Sequence, residues 1–140
     1  MSAEKRSYVM SRVGSKNTRP ELAVRKYLHA QGFRFRIHRK DLPGKPDIVL
    51  PKFKAVIFVH GCFWHGHEGC WRSQLPATRT EWWGCKIARN KERDKEQQTK
   101  LRDAGWRIMT IWECQLKAST IKSPLVELTD ELWLYSRKTD

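Results

Sequence analysis

PDIVLPKFKAVIFVH, residues 46–60, places an acid after a proline and then two apolar runs separated by a short basic turn. Ile48-Val49-Leu50 is short and largely β-branched, and residues 55–59 (AVIFV) are apolar at every position, which is the pattern of a strand covered on both faces. A strand of that kind needs a layer on each side, so the stretch points to a sheet sandwiched between helices. Upstream, FRFRIHR (residues 33–39) alternates Phe33, Phe35 and Ile37 with basic residues, as a half-buried strand with a positive outer face would. The turn signal LPGKP (42–46) separates it from the DIVL strand.

Helices flank these strands. Thr18-Arg19-Pro20-Glu21 has the form of a capping box, with Thr18 capping the first amides, Pro20 in the first turn and Glu21 reaching back. Leu22, Ala23, Tyr27, Leu28 and Ala30 supply an apolar face, and Gly32 a left-handed stop. From about Thr80 to Ala104 the period is again helical, with Trp83, Ile87, Asn90, Asp94 and Leu101 along one face and Gly105 at the end. Two residues of that stripe, Asn90 and Asp94, are polar. Trp106–Trp112 reads as a further strand with Cys114 just past its end, and a last amphipathic helix is expected over Pro124–Tyr135. The order is helix, three strands, helix, strand, with a large loop at residues 60–80 and no internal repeat. We expect an α/β sandwich with a mixed sheet, one domain over residues 1–140, and a basic arm at residues 1–17.

The chain has 140 residues and a formal net charge of +13, spread without a single-residue block. That length suits one core, and that charge an anionic partner. Nucleic acid and an anionic membrane surface would both fit that charge, but no apolar run approaches a membrane span and MSAEKRSYVM lacks a signal-peptide core, so a soluble cytosolic protein is the simpler expectation. Four cysteines in such a setting point to metal ligands or buried thiols before disulfides, and seven tryptophans exceed the ordinary needs of a core this size. Base stacking is the other common use of tryptophan in a basic protein.

The loop opens with HGCFWHGHEGC, residues 60–70. Cys62, His67 and Cys70 have the spacing of a loop folded round a metal, and Cys114 can complete the set if its strand lies beside the one ending at Val59. Cys85 is the rival fourth ligand. A closed site of three cysteines and one histidine leaves no open position, so a zinc ion held there would be structural. His60 and His65 then have no zinc to bind, and His65, close to His67 in a stiffened loop, is placed as a general base is held. Asp47 stands at the start of a strand whose neighbour ends at His60 and the metal loop.

That layout resembles the PD-(D/E)XK nuclease core, in which the aspartate and groups on the next strand bind the magnesium that activates water and stabilises the leaving oxygen. The usual acidic-x-Lys element is replaced by Phe58-Val59-His60. PGKPDIV, VIFVHGCFWHGHEGC, PATRTEWW, KIARNKERD and GWRIMTIWEC together resemble the very short patch repair (Vsr-type) mismatch endonucleases over most of the chain. The resemblance implies a restriction-endonuclease-like three-layer α/β/α fold with an inserted zinc loop. It also implies an enzyme that binds double-stranded DNA at a T:G mismatch left by deamination of 5-methylcytosine and nicks 5′ of the mismatched thymine.

By the same resemblance Asp47 and the main-chain carbonyl of Val59 hold magnesium, His65 activates water, His60 and Asp94 support the site, and Glu21 contributes from the first helix. The family often has threonine where Val59 stands. Cys62, His67, Cys70 and Cys114 match the zinc ligands, with one extra residue before Cys70. Phe63, Trp64 and Trp83 match aromatics that enter the DNA beside the mismatch, where stacking returns roughly a few kcal/mol of what opening the wobble pair costs. Trp106 and Trp112, at strand positions, are expected to pack the core, and Asn90 to position the backbone. Lysines and arginines of the arm and of FRFRIHR would contact phosphates. The implied setting is a monomer acting at a bacterial-type nucleoid in the cytoplasm, with a polymerase and mismatch-repair proteins downstream. A restriction-type nuclease of other specificity and a non-catalytic zinc-dependent DNA-binding module are the alternative readings.

Overall fold

Every residue of the strand Ala55–His60 is buried, as a continuous apolar run requires. The computed structural model describes residues 18–37, 39–116 and 122–139; the basic arm at 1–17 lies outside them. With β1 at Arg36–Ile37, β2 at Ile48–Leu50, β3 at Ala55–His60 and β4 at Arg107–Trp112, the strands form one sheet in the order β1-β2-β3-β4. β3 pairs antiparallel with β2 through Ile48↔Ile57 and parallel with β4 through Val56↔Ile108 and His60↔Trp112. The sheet is therefore mixed, and the crossover from β3 to β4 carries both the metal loop and a long helix.

Period-two alternation divides β3 between two cores. Ala55, Ile57 and Val59 join Ile48, Leu50, Met109 and Ile111 on one face, beneath Val24 and Leu28 of helix α1 (Arg19–Ala30) and Leu125, Leu128 and Leu132 of helix α3 (Lys122–Thr139). Val56 and Phe58 join Val49 on the other face, against Leu101 of helix α2 (Thr80–Asp103). The result is the expected three-layer α/β/α sandwich. Burying the largest side chains contributes about 1.5–3 kcal/mol each, so this double coverage is the main force holding β3 in place.

The helix ends follow the sequence signals. Past α1, Gly32 at φ +85° lets its N–H reach His29 O and the Phe33 N–H reach Leu28 O, and past α2, Gly105 at φ +91° does the same with Arg102 O and Leu101 O. Three expectations are corrected. The buried stripe of α1 is Glu21, Val24 and Leu28, while Leu22 is half exposed and Ala30 exposed, because the helix presents a polar residue to the sheet. Among the described residues FRFRIHR contributes a two-residue strand, Arg36–Ile37, at the edge of the sheet, and Ile37 is exposed. The last helix begins at Lys122, which leaves Pro124 in its first turn, where a missing N–H has little consequence.

Candidate active site and metal centres

Two polar clusters meet the C-terminal end of β3. In the first, Asp47 Oδ2 accepts the Val59 N–H at 2.7 Å. The N–H and C=O of an extended residue point to the same side of its strand, so the Val59 carbonyl faces Asp47's side as well. Glu21, only 2 % exposed, reaches the Asp47 carboxyl from α1 and accepts from Arg25 Nη2 at 2.8 Å. Thr18 does cap α1, its hydroxyl accepting the Glu21 N–H at 3.4 Å, but the Glu21 side chain is turned into the site and makes its ion pair with Arg25, which corrects the reciprocal capping box. Burial, followed by the charge and hydrogen bond of Glu21, pushes Asp47 up to about 7 against the pull of the Val59 N–H and Arg25. Two buried carboxyls in contact are stable with a shared proton or with a cation between them, and this all-oxygen donor set fits a hard divalent ion.

The second cluster joins β3, the loop and α2. The rings of His60 and His65 lie parallel, 3.7 Å apart with 4° between planes. His65 Nδ1 and Asp94 Oδ2 are 2.6 Å apart. With a carboxylate as acceptor the proton sits on Nδ1, and Nε2 keeps its lone pair. His60 is 5 % exposed and its buried Nδ1 has no hydrogen-bond partner. Burial, helped by His65 and opposed by Asp94, lowers His60 to about 3, which favours the neutral ring.

The ligand atoms of Cys62, His67, Cys70 and Cys114 all lie within 4.8 Å of one another, with Cys114 Sγ 3.4 Å from His67 Nδ1. Burial pushes the Cys62 thiol up to about 12, so a thiolate there needs a cation beside it. Soft sulfur donors with one imidazole fit zinc. Cys85 is exposed on α2 and outside the group, and the parallel β3–β4 register is what delivers Cys114. Gly69, at φ +71° with open space on its Cβ side, turns the longer loop so that Cys70 returns to the cluster.

The aromatics are packed differently from the expectation. Phe63 and Trp83, each 4 % exposed, form a small core with Ile87, and Trp64 lies partly open against it, with ring centroids 5.4–5.9 Å apart at steep angles. Phe63 and Trp83 do not project from the surface. Asn90 Nδ2 donates to Trp64 O at 3.1 Å and ties the loop to α2. Trp112 is another departure: it joins neither sheet core and instead lies against His67 and His60.

Sequence reasoning passed over Trp82, 46 % exposed, with Arg79 and Lys86 over its ring at 4.9 and 5.7 Å. An open groove of about 460 Å³ continues along that face between Trp82, Lys86, Arg89, Asn90 and Arg93. The signal was there in a tryptophan one step off the apolar stripe with a lysine four residues on.

A mixed three-layer sheet that carries a buried acidic pair and an aspartate–histidine pair at the end of one strand is the make-up of a phosphodiester-cleaving nuclease. Comparison with known proteins narrows the class. The family model described as DNA mismatch endonuclease Vsr matches residues 1–72. The Type II nicking enzyme V.XorIIP of Xanthomonas oryzae pv. oryzae is 55% identical over 83% of this chain and 85% of its own. The Type II nicking enzyme V.NmeAIP of Neisseria meningitidis is 48% identical over 86% and 85%, and the DNA mismatch endonuclease Vsr of Escherichia coli is 41% identical over 90% and 76%. The chain belongs to the DNA mismatch endonuclease Vsr family, and its substrate is DNA. Among the described residues no helix is long and apolar enough to cross a membrane.

Proposed function

We propose that this endonuclease recognises a T:G mismatch in a particular sequence context and nicks the strand 5′ of the mismatched thymine, starting very short patch repair of deaminated 5-methylcytosine. The observation that carries catalysis, beyond DNA binding, is the 2.6 Å contact of His65 with Asp94 at the same strand end as Asp47. His65 Nε2 takes a proton from the attacking water while Asp94 holds Nδ1–H and fixes the ring. The oxygen of that water forms a bond to phosphorus as the bond to the leaving oxygen breaks. Magnesium, held by Asp47 and the Val59 carbonyl with Glu21 beside them, supplies charge neutralisation of the phosphate when bound. His60 supports His65 face to face. Zinc on Cys62, His67, Cys70 and Cys114 stiffens the loop that carries His65. Phe63, Trp64 and Trp83 read the weakened wobble pair by opening and stacking, which tests deformability where hydrogen-bond readout is poor. The protein acts as a monomer on DNA of the bacterial-type nucleoid, and a polymerase with mismatch-repair proteins completes the repair.

The relatives named as type II nicking enzymes favour one other reading, nicking of a matched recognition site. Incubation with magnesium and matched or T:G duplexes of varied flanking sequence, with cuts mapped by strand, decides between them. A mismatch-dependent nick 5′ of T is expected. Equal cutting of matched DNA would establish the other specificity, and no cutting at all a DNA-binding module.

A further inference from the structure

We propose that Trp112 is a positioning residue that ties the Cys62–His67–Cys70–Cys114 group to His65. Its indole lies parallel to the His67 ring, with centroids 4.1 Å apart and planes 7° apart. Its edge meets His60 at 5.2 Å and 75°, and His60 in turn lies flat on His65. Four rings thus run from a metal ligand to the base without a gap.

The backbone of Trp112 is held by two contacts. It pairs with His60 in the β3–β4 ladder, and its N–H donates to Gln115 Oε1 at 2.8 Å. The His60 ring has much less to hold it. Its buried Nδ1 lacks a hydrogen-bond partner among the described residues, and the ring packs against Phe58, His65 and Trp112, which set its plane. His65 has Asp94 at one nitrogen and the His60 face beneath it. Without the indole, the His60 plane is free to tilt, and His65 loses the flat support that Asp94 alone cannot give. The His67 ring stacked on the indole belongs to the group that would hold zinc, so the chain of rings connects the order of the loop to the base. A flat ring is needed at this position, and an aliphatic side chain of similar bulk cannot serve both neighbours.

The inference rests on the reading of His65 as the general base, and the test separates the two. Full-length Trp112→Leu, Trp112→Phe and His65→Ala proteins are compared for bound zinc, affinity for a T:G duplex, single-turnover nicking and the ring resonances of ¹³C-labelled His65. Trp112→Leu is expected to keep its zinc and its DNA affinity, to shift the His65 resonances and to nick about 10- to 100-fold more slowly, the scale of loss from a small misplacement of a reacting group. Trp112→Phe is expected to recover most of the rate. Parent-rate nicking by Trp112→Leu, unchanged His65 resonances, or loss of its zinc would each overturn the positioning role. Parent-rate nicking by His65→Ala would instead overturn the assignment of the base.

Discussion

Asp47 sits where its two charge states have different consequences for the fold. Burial beside Glu21 raises it to about 7, far above the ordinary carboxylate value of 3.8. Between those values the folded chain keeps a proton that the unfolded chain has released, so the stabilisation is full below the ordinary value and is lost as pH rises through the folded one. In magnesium-free buffer with zinc retained, the melting temperature should fall between pH 4 and pH 7, added magnesium should restore it at pH 7.5, and Asp47→Asn should flatten the pH dependence. A parent profile that stays flat over this window would mean that the carboxyl pair is not coupled as drawn. The same variant should bind a T:G duplex and fail to nick it. His65→Ala removes the group that takes the proton, and roughly 10²–10⁴-fold of single-turnover rate should go with it. Asp94→Asn leaves a ring whose Nδ1–H has a weaker acceptor, so its loss should be smaller than that of His65→Ala and should come in rate before affinity.

The loop between β3 and α2 buries only Cys62, Phe63 and Pro76 of its own residues, and two devices shape it. One is the Cys–His group, and the other is close packing on α2, where a Cβ at Gly66 would come within 2.7 Å of Lys91 Cδ and 2.8 Å of Ile87 Cγ2 at a φ of +59°. Gly66→Ala should therefore cost about 1–3 kcal/mol of stability through backbone strain and overpacking, read as a drop in urea midpoint. Cys114→Ser should release zinc and lower the melting temperature well beyond that, while Cys85→Ser should change neither metal content nor melting temperature. Retained zinc in Cys114→Ser would show that another residue completes the site. The elements themselves were legible where the chain repeats a period: AVIFVH as a doubly covered strand, the α2 stripe through Trp83, Ile87 and Leu101, and both glycine-ended helices. The metal group was legible because three of its ligands are close in sequence and the parallel register supplies the fourth. The capping role of Glu21 was misread because its spacing from Thr18 satisfies a capping box; its place beside Asp47, which came from the resemblance alone, depends on how α1 packs over the sheet. Ile37 and Trp112 were misread for a related reason. Alternation says which side a residue faces, but not whether anything covers that side at an edge, or whether the cover is a metal loop instead of a core.

At the scale of the whole molecule, the proposed function divides recognition into two stages, one set by charge and one by aromatic packing. A net charge of +13 attracts any duplex, matched or not, through phosphates that are the same in both. Phe63 and Trp83 are packed together with Ile87, and Trp64 lies against them, so on the proposed reading the contacts that sense a wobble pair would form only once the cluster opens against the bases. Opening exposes apolar rings that only a base step willing to unstack can cover again, and a T:G pair unstacks more easily than a matched one. Discrimination should then appear mainly in the nicking rate of bound DNA, and affinity should respond mainly to salt. For six to ten phosphate contacts, affinity should drop about 10³–10⁵-fold from 50 to 200 mM salt, with parallel slopes for T:G and matched duplexes. The ratio of their single-turnover rates at saturating protein should hardly change with salt. Trp64→Ala, which removes the ring already partly open, should shrink that rate ratio while leaving the salt slope alone. Duplexes that differ in affinity by as much as they differ in nicking would place recognition in the encounter itself and show that the closed cluster is core and nothing more.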